Sequence, residues 1–257
     1  MLLRGLLHGR TAFKPATPTA PAFPHRHNPV FNTRTTGRCR PHPTLFYFPG
    51  LSSQPWHDPR QWEWCHTLES NLAVIKEEYH RLVHEKGAPS DYDSKDSEHK
   101  LHEGEWDWHS YVMKGRKRER FREDCPRTAA ILDGMGGDHM TGTPFSFSFF
   151  STLHPGAAIR AHTAPCNLRL RCHFPVKVPS ADPEVCGIRV GDEARAWEEG
   201  KCMLFDDCYE HEVWNRSEGD RVLLLFDLWH PELDPQEREA VQDMFGYAEQ
   251  RGWLKGD

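Results

Sequence analysis

No two cysteines in this chain are spaced Cys-x-x-Cys, although eight are present, at positions 39, 65, 125, 166, 172, 186, 202 and 208. That absence excludes a zinc ribbon, and the wide spacing indicates no disulfide framework; cysteine usage leaves the compartment open. Acidic residues are missing from residues 1–57, which hold seven Lys/Arg, so the remainder carries 25 basic against 38 acidic residues, a net charge of −13. An acidic body gives nucleic acid no electrostatic reason to bind. Long apolar runs are also lacking. The stretch Leu2 to Leu7 is broken by Arg4 and is far too short to span a bilayer, and no transmembrane helix is read anywhere. No internal repeat is visible, so the chain does not read as an array.

What is present fits one enzyme domain with appendages: 257 residues, 37% hydrophobic and 27% charged, enough for one core. Residues 1–43 are rich in Pro, Thr, Arg and His. An acid-poor, Arg-containing segment of this kind reads as an organelle transit peptide, as a disordered basic tail, or as the end of a longer chain. Residues 44–257 form the expected domain. Its helical lead, 60–135, begins with Leu68, Leu72, Ile75, Tyr79 and Leu82 at three- and four-residue intervals, a helix stopped by Gly87-Ala88-Pro89. Trp106 to Met113 reads as a strand, and Arg118 to about Leu132 as a second helix interrupted at Pro126. Between Gly134 and Pro144 the glycines mark a boundary loop.

Beyond that loop the hydrophobic period changes to two. Phe145, Phe147 and Phe149 alternate with serines up to Ser151, and are expected to fill core; Leu168, Leu170 and Cys172 alternate with Arg169, Arg171 and His173; Lys201–Phe205 and Val222–Leu228 are further apolar strands. Short strands with Gly and Pro turns indicate a β-sandwich or barrel over 143–233. Asp234-Pro235-Gln236-Glu237 then supplies an N-cap, a first-turn proline and an acidic third position, so a last helix should span 235–250.

Three residues carry the chemistry. His162 and His211 are 49 apart, too far for one helix face but suited to two strands whose imidazoles share a divalent metal. Ten residues on, Arg221 opens the run to Trp229 and would grip a carboxylate in bidentate fashion. With 17 histidines in the chain, spacing alone does not single out this pair.

The block Ser151 to Leu233 adds the missing weight. His154-Pro155-Gly156, the run His162 to His173, Trp197-Glu198-Glu199-Gly200-Lys201, Phe205-Asp206-Asp207, Glu210-His211-Glu212-Val213-Trp214 and Trp229-His230-Pro231-Glu232-Leu233 resemble, in order and density, the aspartyl/asparaginyl β-hydroxylase family of Fe(II)- and 2-oxoglutarate-dependent dioxygenases. The likeness extends more loosely back to Phe46–Leu51 and Pro55-Trp56. It implies a mainly β fold with flanking helices, a double-stranded β-helix or jelly roll. It also implies Fe(II) held by His162 and His211, with 2-oxoglutarate and O2 as cosubstrates. Ser151 and Arg221 would bind the distal carboxylate, Arg171 and His173 the carboxylate near the metal, and Arg169 an acidic substrate group. Two residues after the first histidine, where most 2-oxoglutarate oxygenases carry a carboxylate ligand, stands Ala164, which cannot ligate. Asp206 or Asp207 stays open as a substitute ligand, although acids at strand ends are more often solvated or bound to backbone donors. Cys166 and Cys208, near the proposed ligands, read as small buried side chains.

The implied reaction hydroxylates a substrate carbon and releases succinate and CO2. Aspartyl or asparaginyl side chains of a protein lead as substrate, with a small molecule or acyl lipid as the alternative. A reading of another class is a catalytically silent jelly-roll binding module.

Overall fold

The computed structural model describes residues 40–92 and 101–253, so the basic segment before Arg40 and its transit-peptide reading lie outside the described residues. Twelve strands are described: β1 (Trp56–His57), β2 (His102–Glu103), β3 (Trp106–Met113), β4 (Arg116–Lys117), β5 (Ser148–Leu153), β6 (Ala158–His162), β7 (Arg169–Lys177), β8 (Cys186–Val190), β9 (Glu193–Arg195), β10 (Met203–Phe205), β11 (His211–Asn215) and β12 (Arg221–Trp229). They form a seven-stranded sheet in the order β1-β10-β7-β12-β5-β3-β4 and a five-stranded sheet in the order β2-β6-β11-β8-β9, all pairings antiparallel. From β5 onward the chain passes back and forth between the sheets, with only the β8–β9 hairpin staying in one of them, which is jelly-roll topology. No helix among the described residues is long and apolar enough to cross a membrane.

The larger sheet is covered on both faces. Phe150 on β5, Leu170, Cys172 and Phe174 on β7, and Leu224 and Phe226 on β12 pack against a helical layer. The other face of β12 sends Leu223 into a second core between the sheets, with Ile188, Val190, Phe205 and Val213. Burial on both faces is why β12 reads as a continuous apolar run rather than a strict alternation.

The helical layer comprises α1 (Glu63–Ser70), α2 (Leu72–His80), α3 (Glu119–Asp124) and α4 (Pro126–Asp133); α5 (Pro235–Gln250) closes one end of the sandwich. The single helix expected from Arg60 is split at Asn71. There the Ser70 hydroxyl donates to His66 O (2.8 Å) and the Asn71 amide to Thr67 O (2.7 Å), competing with the helical ladder. The break at Pro126 and the start of α5 fall where expected, α5 with a full capping box between Asp234 and Glu237.

Position 78 holds a cap that no local pattern announces. Cys125, the N-cap of α4, makes no side-chain cap bond. Buried Glu78 of α2 serves instead, accepting from Arg127 N (3.0 Å), Thr128 N (2.8 Å) and Thr128 Oγ1 (2.7 Å). Replacing Glu78→Leu strands these donors and should lower the unfolding free energy by about 2–3 kcal/mol. A urea midpoint unchanged from the parent would show that the cap contributes nothing.

Candidate active site

His162 ends β6 and His211 begins β11, and the two are Cα partners in the small sheet. Their ring centroids lie 4.1 Å apart, tilted by 53°. Each ring is fixed by the carbonyl two residues back in the chain: His162 Nδ1 lies 2.7 Å from Arg160 O, His211 Nδ1 2.9 Å from Tyr209 O. A carbonyl only accepts, so each Nδ1 carries the proton and each Nε2 keeps its lone pair, the form that ligates a metal. Burial, and for His211 then the neighbouring imidazole, pulls both pKa values below the ordinary value, so both rings are neutral. A register shift between His211 and Val213 lets the strand present its first residue separately from those that follow.

A cavity of about 490 Å³ lies between the sheets, and both histidines line it. Every other residue expected in the site lines it too: Ser151, Arg169, Arg171, His173 and Arg221. Arg221, 1% exposed, sits with its guanidinium 5.1 Å from the Trp197 ring centroid. Its Nη1 donates to Ser151 Oγ at 3.4 Å, while Nε and Nη2 have no partner. Burial lowers its pKa to about 10, which leaves it charged at neutral pH. The Trp106 indole donates to the same Ser151 oxygen (2.8 Å), leaving the hydroxyl proton to donate elsewhere. His173 is turned the opposite way from the metal-type histidines. Its Nδ1 accepts from Trp197 Nε1 (3.3 Å), so its Nε2 carries the proton and is a donor.

Arg169 and Arg171 share a face, as their spacing on β7 predicts, but both guanidinium groups hold carboxylates of the chain itself. Arg169 Nη2 meets Asp207 Oδ2 at 2.6 Å and its Nη1 meets Asp227 Oδ2 at 3.2 Å; Arg171 donates to Asp227 Oδ1 through Nε (2.9 Å) and lies 3.4 Å from Asp207. The pairing with Asp227 follows from register, since Asp227 is the Cα partner of Arg171. Burial would raise the Asp207 pKa, but Arg169 and Arg171 override it and hold the carboxyl below the usual range. Asp206 accepts instead from Cys208 N (2.9 Å) and Ser53 Oγ (2.8 Å), and burial raises it to about 6. Both acids are thus engaged away from the histidines. Ala164, buried in the cavity wall, offers no ligand atom. Cys166 and Cys208 are buried small side chains, Cys208 Sγ donating to Cys166 O (2.9 Å).

The phenylalanine stripe packs as core, as expected, and borders the cavity as well: Phe149 is buried in a cluster with Trp108 and Leu225, Phe147 packs against that cluster and Phe145 against the core under α5, while all three also line the cavity. Phe149 stacks on Trp108 at 4.0 Å and 20°, and together with Trp106 and Leu225 they form an apolar wall. Sequence reasoning missed Asp227, Trp106 and Trp197. For Asp227 a signal existed: it is the lone acid within the apolar run Val222–Trp229.

Residues 69–231 match the family model described as Aspartyl/Asparaginyl beta-hydroxylase. The chain belongs to the aspartyl/asparaginyl β-hydroxylase family. All seven residues expected in the site lie inside the matched segment. Among relatives of this β-hydroxylase-family chain, the aspartyl/asparaginyl beta-hydroxylase of Mus musculus is 36% identical over 204 residues, 77% of this chain and 26% of the relative. The aspartate beta-hydroxylase domain-containing protein 2 of Xenopus tropicalis is 31% identical over 208 residues, 79% of this chain and 54% of the relative. The chain therefore spans about a quarter to a half of the length of these relatives. Solved structures overlap only loosely: an oxidoreductase of the 2OG-Fe(II) oxygenase family from Burkholderia pseudomallei gives a TM-score of 0.38 at 9% identity, over 73% of this chain and 96% of that one, too distant to bear on function.

The ion network yields a test. Asp207→Asn leaves Arg169 buried with too little counter-charge and should cost about 3–5 kcal/mol of stability. The double variant Arg169→Met, Asp207→Leu removes both charges and should recover most of that loss. An Asn variant as stable as the parent in urea would mean that the network does not hold the strands.

Proposed function

We propose that this chain is an Fe(II)- and 2-oxoglutarate-dependent dioxygenase that hydroxylates the β-carbon of aspartyl or asparaginyl side chains in a protein. One observation carries the reading: a buried, charged guanidinium with two unpartnered donors lines the same cavity as two neutral imidazoles with free Nε2 lone pairs. An unpaired buried arginine is costly to the fold alone. It makes sense as one half of a pair whose other half is an anionic ligand.

The donor set suits the groups that the family implies. His162 and His211 would hold Fe(II), and imidazole nitrogen is an ordinary ligand for it. Arg221 and the Ser151 hydroxyl would hold the distal carboxylate of 2-oxoglutarate, and the Nε2–H of His173 the carboxylate nearer the metal, with Arg171 lining the same cavity but already held by Asp227 and Asp207. When bound, iron and cosubstrate supply the oxidising chemistry: O2 and 2-oxoglutarate are converted with the substrate C–H to an alcohol, succinate and CO2. Two neutral ligands leave the metal charge uncompensated, so an anionic cosubstrate is electrostatically favoured beside it. Arg221 keeps its proton throughout and so acts by binding and orienting. The aromatic wall of Trp106, Trp108, Phe147 and Phe149 limits water on the substrate side of the cavity.

That wall also favours a second reading, hydroxylation of a small molecule or acyl lipid, because much of the cavity surface is apolar and Arg169 is already paired. One added oxygen on an Asp/Asn peptide supports the first reading, and the same gain only on an apolar small molecule or lipid supports the second. A catalytically silent module could use Arg221 for an anion equally well, and would be marked by 2-oxoglutarate binding without succinate formation.

Loss of Arg221 provides the sharpest kinetic check. Removing one partner of a buried charge-assisted pair costs about 2–5 kcal/mol, so Arg221→Ala should raise the KM for 2-oxoglutarate well over tenfold, with Arg221→Lys partly restoring it. An unchanged KM in the alanine variant would remove Arg221 from the site.

A further inference from the structure

Among the described residues, two groups of metal-capable side chains do not include the histidine pair. One, Asp206, Asp207 and Cys208, is already consumed by the arginines, Ser53 and backbone donors described above. The other is not. Cys65 and Glu69 are four apart on α1 and so project from one side of that helix. Cys202 precedes β10, and one donor atom from each of Cys65, Glu69 and Cys202 falls within 4.8 Å of the others. Cys65 Sγ lies 3.7 Å from Glu69 Oε1. Cys202 shares one buried core with Cys65 and Cys172. Cys172 stands between Arg171 and His173 on β7, and strand alternation turns it to the opposite face, into the core beneath the helices.

We infer that Cys65, Cys202 and Glu69 form a zinc site on the back of the cosubstrate-binding strand, with Cys172 as a third sulfur in the same core. The donor chemistry selects the ion. Thiolate sulfur is refused by hard cations such as Mg2+ and Ca2+, an all-sulfur set would suit Cu(I), and a mixed sulfur and carboxylate set suits Zn2+. Two thiolates and a carboxylate around Zn2+ leave one negative charge. Lys201 stands ready to offset it, its Nζ 2.8 Å from Glu69 Oε2, the oxygen turned away from Cys65. Cys202 N donates to Oε1 (3.2 Å) and further fixes the carboxylate. Access is from the Glu69 side: that side chain is 22% exposed, whereas Cys65 and Cys202 are 4% and 8% exposed.

The ion would tie α1 to the start of β10, which pairs with β7, the strand that carries Arg171 and His173 on its other face. Hydrogen bonding among the thiols, with burial, raises the pKa values of Cys65 and Cys202, so both are protonated without metal. Zinc must displace those protons, and its affinity should climb as pH rises.

The full reduced chain is titrated with Cd2+ as the spectroscopic stand-in, and with Zn2+ for affinity and Tm. Saturable Cd–thiolate charge-transfer absorption is expected, absent from Cys65→Ser and Cys202→Ser and retained in His162→Ala and Cys186→Ser. Zn2+ should raise the Tm of the parent and of His162→Ala, and Glu69→Gln should weaken Zn2+ binding roughly tenfold or more. No thiolate band in the parent, a band of full height in both serine variants, or a Cys65–Cys202 disulfide in the freshly purified chain would each overturn the site. Should the serine variants not fold, Glu69→Gln decides, and an unchanged Zn2+ affinity overturns it.

Discussion

Three arginines are buried or nearly so between the two sheets, and the chain supplies carboxylates for only two of them. Asp207 and Asp227 neutralise Arg169 and Arg171, and this four-residue cluster joins β7, β12 and the turn leading into β11. Arg221 has no such partner among the described residues; it has a serine, an indole face and open space. Much of the site follows from this imbalance. A guanidinium held charged in a dry wall needs an anion, and the metal-type histidines line the same cavity. Their charge-free state makes an anion the natural complement to a cation bound there as well.

Register transmits this constraint through the fold. Antiparallel pairing sets His162 opposite His211 and Asp227 opposite Arg171, so each pair is as well fixed as its ladder of backbone hydrogen bonds. Behind the larger sheet the helices brace the same strands, with Glu78 capping α4 from α2 and Cys65 and Leu68 of α1 packed in one core with Cys172 of β7 and Leu204 of β10. Motion of the helical layer would therefore be felt at Arg171 and His173.

Much of this was legible in the residues. The change of period after Pro144 marks the jelly roll, the Asp234-Pro235 signal marks α5, and the family-like motifs single out His162, His211, Ser151, Arg171, His173 and Arg221, all of which the fold brings to one cavity. What could not be read depends on long-range geometry. The split at Asn71 turns on local side-chain competition within a pattern that otherwise reads as continuous helix. The phenylalanine stripe has the same period whether or not it also borders a cavity. The engagement of Arg169 requires knowing that Asp207 and Asp227, 38 and 58 residues away, lie against it.

The central claim is that two neutral histidines bind iron weakly by themselves and that an anion anchored on Arg221 completes the site. Its most direct test is anaerobic calorimetry of Fe(II) binding to the full chain, with and without saturating 2-oxoglutarate. The account predicts much tighter Fe(II) binding when the cosubstrate is present. Equal affinity in the two titrations would contradict it.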